Sequence, residues 1–387
     1  MSDAQADIED AAHLGATSQR PVDALTVNNK DLAPLMARAA SVVPRNSAVP
    51  VLGHVLLQSS PTTLTVMANN MEMALRQSCP ARGPTCSFCV DATSLNALLH
   101  RLPGSAEVRM EVGDRHVTLR SGPVRAKLAT IPVNEFPVFR NLTYAATVKI
   151  HGPELRLAFE RVRGFIDHEP SRYYLSGTNI RPVPGGLRIE GTNGKCLGAS
   201  TIEGPELLTM IIPMRSVDEV LKILGDDPVQ VSGCPVGAEF SAQGITFTTK
   251  LIDANYPDID RVLPKVDDTR VWRVNRDAML RAIATASAIG SAASIGDLAL
   301  SETACRIGVA EQDNKLKRDD QTIVELDETT CSFSGDACAF RIRLSELTTI
   351  IKAAGPVCEF RTNADLSWFR INDVADPRAT FVVGCYR

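Results

Sequence analysis

At 387 residues the chain is longer than one ordinary hydrophobic core organises, and about two to four domains are expected. Its 44% hydrophobic and 22% charged residues are those of a globular protein, and no apolar run approaches the roughly 20 residues of a membrane span, so no membrane crossing is expected. With 41 basic against 45 acidic residues the net charge is −4, which excludes gripping nucleic acid by general basicity; a duplex binder of this balance must segregate its charge.

In chain order, residues 1–22 (MSDAQADIEDAAHLGATSQRPV) are acidic and Ala-rich, and lack the basic start and apolar block of a secretory signal. They read as a disordered extension on a cytoplasmic protein. From Leu25, LTVNNKDLAPLMARAASVV runs from a short strand into helical apolar spacing, and the same pattern returns in TVKIHGPELRLAFERVRGFI from Thr147 and WRVNRDAMLRAIATASAI from Trp272. Leu32, Leu155 and Met279 are equivalent, separated by 123 and then 124 positions. A second set, VDATSLNALLHRL from Val90, IPMRSVDEVLKIL from Ile212 and IRLSELTTIIKAA from Ile342, again leads a strand into a helix, with Ser94 or Ser216 in the first turn. Between them lie alternating runs such as TLTVMA, EVRMEV, HVTLRS, GITFTTKL and RATFVV, punctuated by Gly, Pro, Asn and Asp, which read as antiparallel sheet. A repeat at constant offset sets the architecture. The expectation is an α+β chain of three repeated domains, 23–143, 144–267 and 268–387, each with two helices against antiparallel sheet.

Chemistry-bearing motifs are missing: there is no GxxxxGK[ST], no strand-following GxGxxG, no HExxH and no GxSxG. His13, His54, His100, His116, His151 and His168 show no ligand spacing. Ten cysteines in so long a chain act more often as small buried hydrophobes than as a disulfide framework. Cys86 and Cys89 would chelate a metal only on a turn, since residues three apart on a strand face opposite ways, and no second CxxC completes a site. Asp253, Asp258 and Asp260 fall on an irregular, Pro-containing stretch that a solvated loop explains. No cofactor, no metal and no catalytic residue is assigned, and function is expected in shape and surface.

Four segments carry a resemblance: SRYYLSG from Ser171, KLIDANYPDIDRVLPK from Lys250, SVVPRNSAVPVLGHVLL from Ser41, and the ending ATFVVGCYR. They are similar, in order and spacing, to the RYYLNG, KLxDxxFPDYxRVLP, RxTxPIL and YVVMPMR segments of the bacterial sliding clamp family, the beta subunit of the replicative DNA polymerase III. The resemblance implies a head-to-tail homodimer whose repeated domains close a ring around duplex DNA. Helices line the hole, and contacts with phosphates are sequence-independent. It also implies a processivity factor rather than an enzyme, which meets DNA polymerase and clamp-loader subunits through short peptide motifs.

Basic residues on the expected helices, namely Arg38, Arg156, Arg161, Arg163, Arg276, Arg281, Arg101, Lys222 and Lys352, would then face the hole, although solvated faces of amphipathic helices account for them too. The family's DNA-contacting loop positions fall on Arg45, Asn46, His168, Tyr173 and Tyr174, with one tyrosine read alternatively as packing. Its partner-peptide pocket falls on Leu175, Thr192, Gly194, Leu197, Pro257, Arg261, Val262, Val382, Val383 and Arg387. A dimer contact would join Arg125 and Leu128 to Ile289, Asp319 and Asp320 of the other copy.

The chain departs from the family pattern at Lys195 and Cys196 in TNGKCL, at Gly384, Cys385 and Tyr386 in place of MPM, at Glu346 in place of a tyrosine, and at Trp368 in place of a small residue. These changes leave open a second copy with altered partner preference, or a clamp-derived interaction protein that no longer tethers a polymerase.

Overall fold

The computed structural model describes residues 24–386, apart from 45–47, 138–141, 206, 264–266, 289–294, 302–303, 314–317, 327–330, 336 and 363–365. The expected 1–22 extension lies outside the described residues. Six α-helices occur among them: Asn29–Val42, Ala92–Leu99, Gly152–Arg163, Met214–Ile223, Arg276–Ala286 and Leu344–Ala353. Each follows a strand with at most one residue between, as the sequence pattern requires. Equivalence across the repeat is also physical, since Leu32, Leu155 and Met279 are all fully buried, as are Leu95, Val217 and Leu347 on the second helices. Burying each such side chain stabilises the fold by about 1.5–3 kcal/mol.

Three of the helices begin on a side-chain cap: Asn28 accepts from the Lys30 N–H, Asp91 from Ser94 and Asn275 from Ala278. Each satisfies a backbone donor that the first turn leaves without a partner. The Gly152–Arg163 helix lacks such a cap and has proline in its first turn, where the missing N–H costs nothing.

The described residues divide into two compact units, 24–71 with 75–137, and 72–74 with 142–386. In the first, the strands Leu25–Asn28, Glu107–Val112, His116–Ser121, Val124–Ile131, Cys86–Asp91, His54–Ser59, Thr63–Asn69 and Met73–Arg82 follow one another, and the last pairs back onto the first. Cys86 and Cys89 sit within one strand, Cys89 in the core.

In the second unit a nine-stranded antiparallel sheet runs from Met210–Pro213 through Gly177–Val183, Gly186–Thr192, Cys196–Glu203, Ala379–Gly384, Trp368–Asp373, Val357–Thr362 and Asp267–Asn275 to Cys331–Ser334. The join lies where Cys196–Glu203 pairs with Ala379–Gly384, with Leu197 opposite Val382 and Cys196 opposite Val383. One sheet therefore passes through both the 144–267 and 268–387 segments, which is why they form one unit. Phe165 stacks on Phe381 at 5.7 Å beneath this join, in a core that also holds Trp272, Phe360 and Phe369.

Arg161 does not belong with the solvent-facing arginines among which the sequence places it. It is buried, and its guanidinium binds Asp373 at 2.6 Å and Asp376 at 2.7 Å. The spacing of Leu155, Phe159 and Val162 aligns Arg161 with the buried face of its helix, and two carboxylates on the far segment compensate the charge. A helical period alone cannot distinguish such a residue from a surface arginine.

Candidate functional site

A turn builds the site's first wall. In TNGK, Thr192 Oγ1 donates to the Cys196 carbonyl at 2.9 Å and accepts the Gly194 N–H at 3.1 Å, while Asn193 Oδ1 accepts the Lys195 and Cys196 N–H groups at 3.0 Å. Gly194 sits at φ +80°, and a Cβ there would meet Arg172 Nη1 at 3.0 Å, so the position requires glycine. Arg172 ties this turn to the preceding loop by donating to the Asn193 carbonyl at 2.9 Å and pairing with Asp167 at 2.9 Å.

The opposite wall is the Ile259–Arg261 turn, capped by Asp258, whose side chain accepts the Asp260 N–H at 3.1 Å. The sequence reads Asp260 as a solvated loop acid, yet it is gripped by Arg181 and Arg188, each at 2.6 Å. Both arginines also reach Glu190, which is buried on the sheet. Burial opposes ionisation of Asp260, but the two guanidiniums outweigh it and hold the carboxyl below its ordinary range. The cluster thereby fixes the turn against the sheet.

Between the walls is a cavity of about 300 Å³, floored by Leu197 and Val382 from the paired strands, with Ile259 packed on both. Leu175, Thr192, Gly194, Pro257 and Val262 also line it, as the sequence places them, together with Tyr174, Arg172, Lys195, Cys196 and Trp368. Trp368 stands opposite Gly384, with its ring 3.3 Å from where a Cβ of residue 384 would lie, so a large and a small residue share one space. Burial and the nearby Glu346 carboxylate push the Cys196 thiol up to about 12, so it serves as wall rather than nucleophile.

The remaining assigned residues are placed differently. Val383, next to the floor residue Val382, faces the opposite side of its strand and is fully buried in the core, because side chains alternate along a strand. Arg261 is 85% exposed and pairs with Asp258 at 3.0 Å rather than lining the cavity. Arg387 lies outside the described residues, as do Arg45, Asn46 and Ile289. His168 and Tyr173 are exposed, whereas Tyr174, edge-on to Tyr173 at 6.1 Å, belongs to the cavity wall. Arg125 is exposed and Leu128 half-buried on Val124–Ile131, and Asp319 and Asp320 lie on the Arg318–Leu326 strand. Sequence reasoning missed Arg172 and Ile259 as pocket residues; Ile259, an isolated apolar residue in PDID, was the available signal.

The C-terminal segment is held by a relay in which Arg343 Nε donates to Tyr386 Oη at 3.0 Å and Tyr386 donates to Glu346 at 3.4 Å. Burial raises the Glu346 carboxyl above its ordinary value of 4.5, against the lowering effect of Arg343, Lys195 and Tyr386. A raised carboxyl favours the folded state below 4.5 and disfavours it as pH rises through the folded value. Glu346→Gln is therefore expected to raise the melting temperature at pH 7.5 and to lose that advantage near pH 4; thermal melts at the two pH values decide it, and an equal shift at both would contradict this assignment.

Helix-borne cations sort into two groups. Arg156, Arg163, Lys222 and Arg276 pair with Glu160, Asp218, Glu219 and Asp277, and Arg38 donates to Gln77. Arg281 and Lys352 are exposed and have no ion pair among the described residues, and the same holds for Arg101, which the sequence places on a helix but which lies in the turn two residues after Ala92–Leu99.

The N-terminal domain of the DNA polymerase III beta subunit family matches residues 24–141, and its central domain matches residues 149–258, together more than half of the chain. The beta sliding clamp of Caulobacter vibrioides is 23% identical over 373 residues, covering 93% of this chain and 98% of that protein. Among solved structures, the Caulobacter crescentus beta sliding clamp, with polyethylene glycol bound to its putative beta-motif tethering region, has a TM-score of 0.86 at 23% identity, over 94% of this chain and 99% of that one. A Bartonella birtlesii sliding clamp bound to griselimycin has the same TM-score at 21% identity, over 94% of this chain and 99% of that one. No helix among the described residues is long and apolar enough to cross a membrane.

Proposed function

The chain belongs to the DNA polymerase III beta subunit family, and from that membership we propose that it is a DNA sliding clamp. In this reading two copies, each made of domains 23–143, 144–267 and 268–387, join head to tail in a ring around duplex DNA in the cytoplasm. The ring confers processivity by tethering the replicative polymerase and other DNA-processing proteins, has no catalytic site of its own, and receives polymerase and clamp-loader subunits through short peptides.

The observation that carries the reading is the cavity over Leu197 and Val382: an apolar floor with a few polar groups at its rim is what a short peptide with apolar anchors needs. For DNA, Arg101, Arg281 and Lys352 supply exposed charge for phosphates, and His168 with Tyr173 supplies exposed hydrogen-bonding and stacking groups. Arg45 and Asn46 are further DNA contacts by the family resemblance, and Arg261, Val383 and Arg387 act at the pocket as rim, support and chain end.

Two open strand edges support the dimer. Val124 to Ala129 pair on one side only, with His116–Ser121, and Arg318–Leu326 pairs only with Cys305–Asp313 among the described residues. Strand addition between copies would place Arg125 and Leu128 against Asp319, Asp320 and Ile289, and would cover edges that otherwise invite aggregation. Sedimentation is expected to show a species near twice the 41.8 kDa chain mass. A strict monomer at micromolar concentration would contradict the ring.

A second reading draws on Trp368, which lines the pocket opposite Gly384 where the family pattern has a small residue. In it the chain binds partner peptides without tethering a polymerase to DNA. Peptide binding without retention on circular DNA would select it.

A further inference from the structure

Behind the Tyr256–Asp260 segment lies a second cavity, of about 710 Å³, that shares Pro257 with the apolar pocket. Tyr256 lines it and also packs against the pocket floor of Leu197, Ile259 and Val382. The segment is thus a partition, with Ile259 on the apolar side and Asp258 and Asp260 on the other.

The second cavity is acidic, lined by Asp253, Asp258 and Asp260 against the single cation Arg181. Asp260 is occupied by Arg181 and Arg188, and Asp258 by Arg261. Asp253 is exposed and has no ion pair or hydrogen bond among the described residues. On the inner wall Asn179, only 3% exposed, donates from Nδ2 to Glu190 at 2.9 Å and leaves its Oδ1 buried with no hydrogen-bond partner. A buried acceptor without a donor carries a penalty that a bound donor relieves.

An idle carboxylate at the mouth and an idle carbonyl inside are both acceptors. Ammonium and guanidinium groups carry donors and no acceptor, so they match this wall, whereas phosphate or carboxylate would be repelled by it. A peptide anchored over Leu197 and Val382 extends about 3.3 Å per residue, so a side chain one to three residues from an anchor reaches across Pro257. We propose that this cavity is a subsite for a lysine or arginine side chain flanking the apolar anchors of the partner's peptide. The inference rests on the reading of the apolar pocket as a peptide site.

The test is a fluorescence titration with a labelled peptide carrying the apolar anchors and alanine at three flanking positions on each side, beside six variants with one lysine each. At least one lysine peptide is expected to bind the wild-type protein about tenfold more tightly than the alanine parent, as a charge-assisted hydrogen bond allows. Asp253→Lys is expected to abolish that gain and to leave parent binding unchanged. If the parent binds but no lysine peptide gains, or the gain survives Asp253→Lys, the subsite is overturned and the apolar pocket stands. If neither parent nor lysine peptides bind, the pocket reading fails and the subsite with it.

Discussion

Arg161→Met is expected to destabilise the second unit by about 3–5 kcal/mol, the cost of removing one partner from a buried ion pair. Asp373 is buried, and Arg161 is the cation that meets it at 2.6 Å. Without it a carboxylate is left in the interior uncompensated, and Asp376 keeps only its pairing with Arg378 at 2.9 Å. For a unit of this size each kcal/mol lowers the melting temperature by about 2–4 °C, so calorimetry should show a drop of roughly 10 °C. Arg156→Ala, which breaks a half-exposed pair with Glu160, should change stability by less than about 0.5 kcal/mol. Comparable effects from the two substitutions would refute the structural role of Arg161.

The largest functional effect is expected from Val262→Asp. Val262 lines the cavity over Leu197 and Val382, the proposed peptide site, while remaining 56% exposed, so a charge there meets water in the free protein and costs the fold little. In the complex the same carboxylate must be desolvated against apolar anchors over Leu197 and Val382, which should cost at least about 2 kcal/mol, or roughly 30-fold in affinity. Titration of a labelled peptide with glutamine and leucine-phenylalanine anchors reads this directly, with an unchanged melting curve as the control. Val383→Asp, which the linear sequence nominates equally well, buries an unpaired charge in the core beside Phe369 and Phe381 and is expected to unfold the unit instead. Retained affinity in Val262→Asp would remove the pocket as the peptide site.

Much of this architecture was legible in the sequence. The strand-then-helix repeat holds because Leu32, Leu155 and Met279 occupy one buried position in three copies, a periodicity that composition cannot hide. The pocket residues were nominated by the family resemblance alone, and the Thr192–Gly194 and Pro257–Val262 turns bring several of them to one cavity. What stayed hidden depends on distant pairing. Whether Val382 or Val383 floors the pocket is decided by register against Cys196–Glu203, and a slip of one residue would exchange them. Asp260 reads as a loop acid until Arg181 and Arg188 arrive from the sheet, and Arg161 reads as a surface cation until Asp373 arrives from far along the chain. Electrostatic partners separated by many residues leave no mark in local pattern.

The pocket, the open strand edges and the exposed helix cations are expected to meet in one topological property. The protein should be loaded by a compatible clamp loader onto a nicked circular duplex, separated by gel filtration, and followed after the circle is linearised. A closed ring that contacts only phosphates should stay on the circle through moderate salt and be lost once free ends appear. Loss from intact circles, or equal retention on linear DNA, would contradict the sliding clamp.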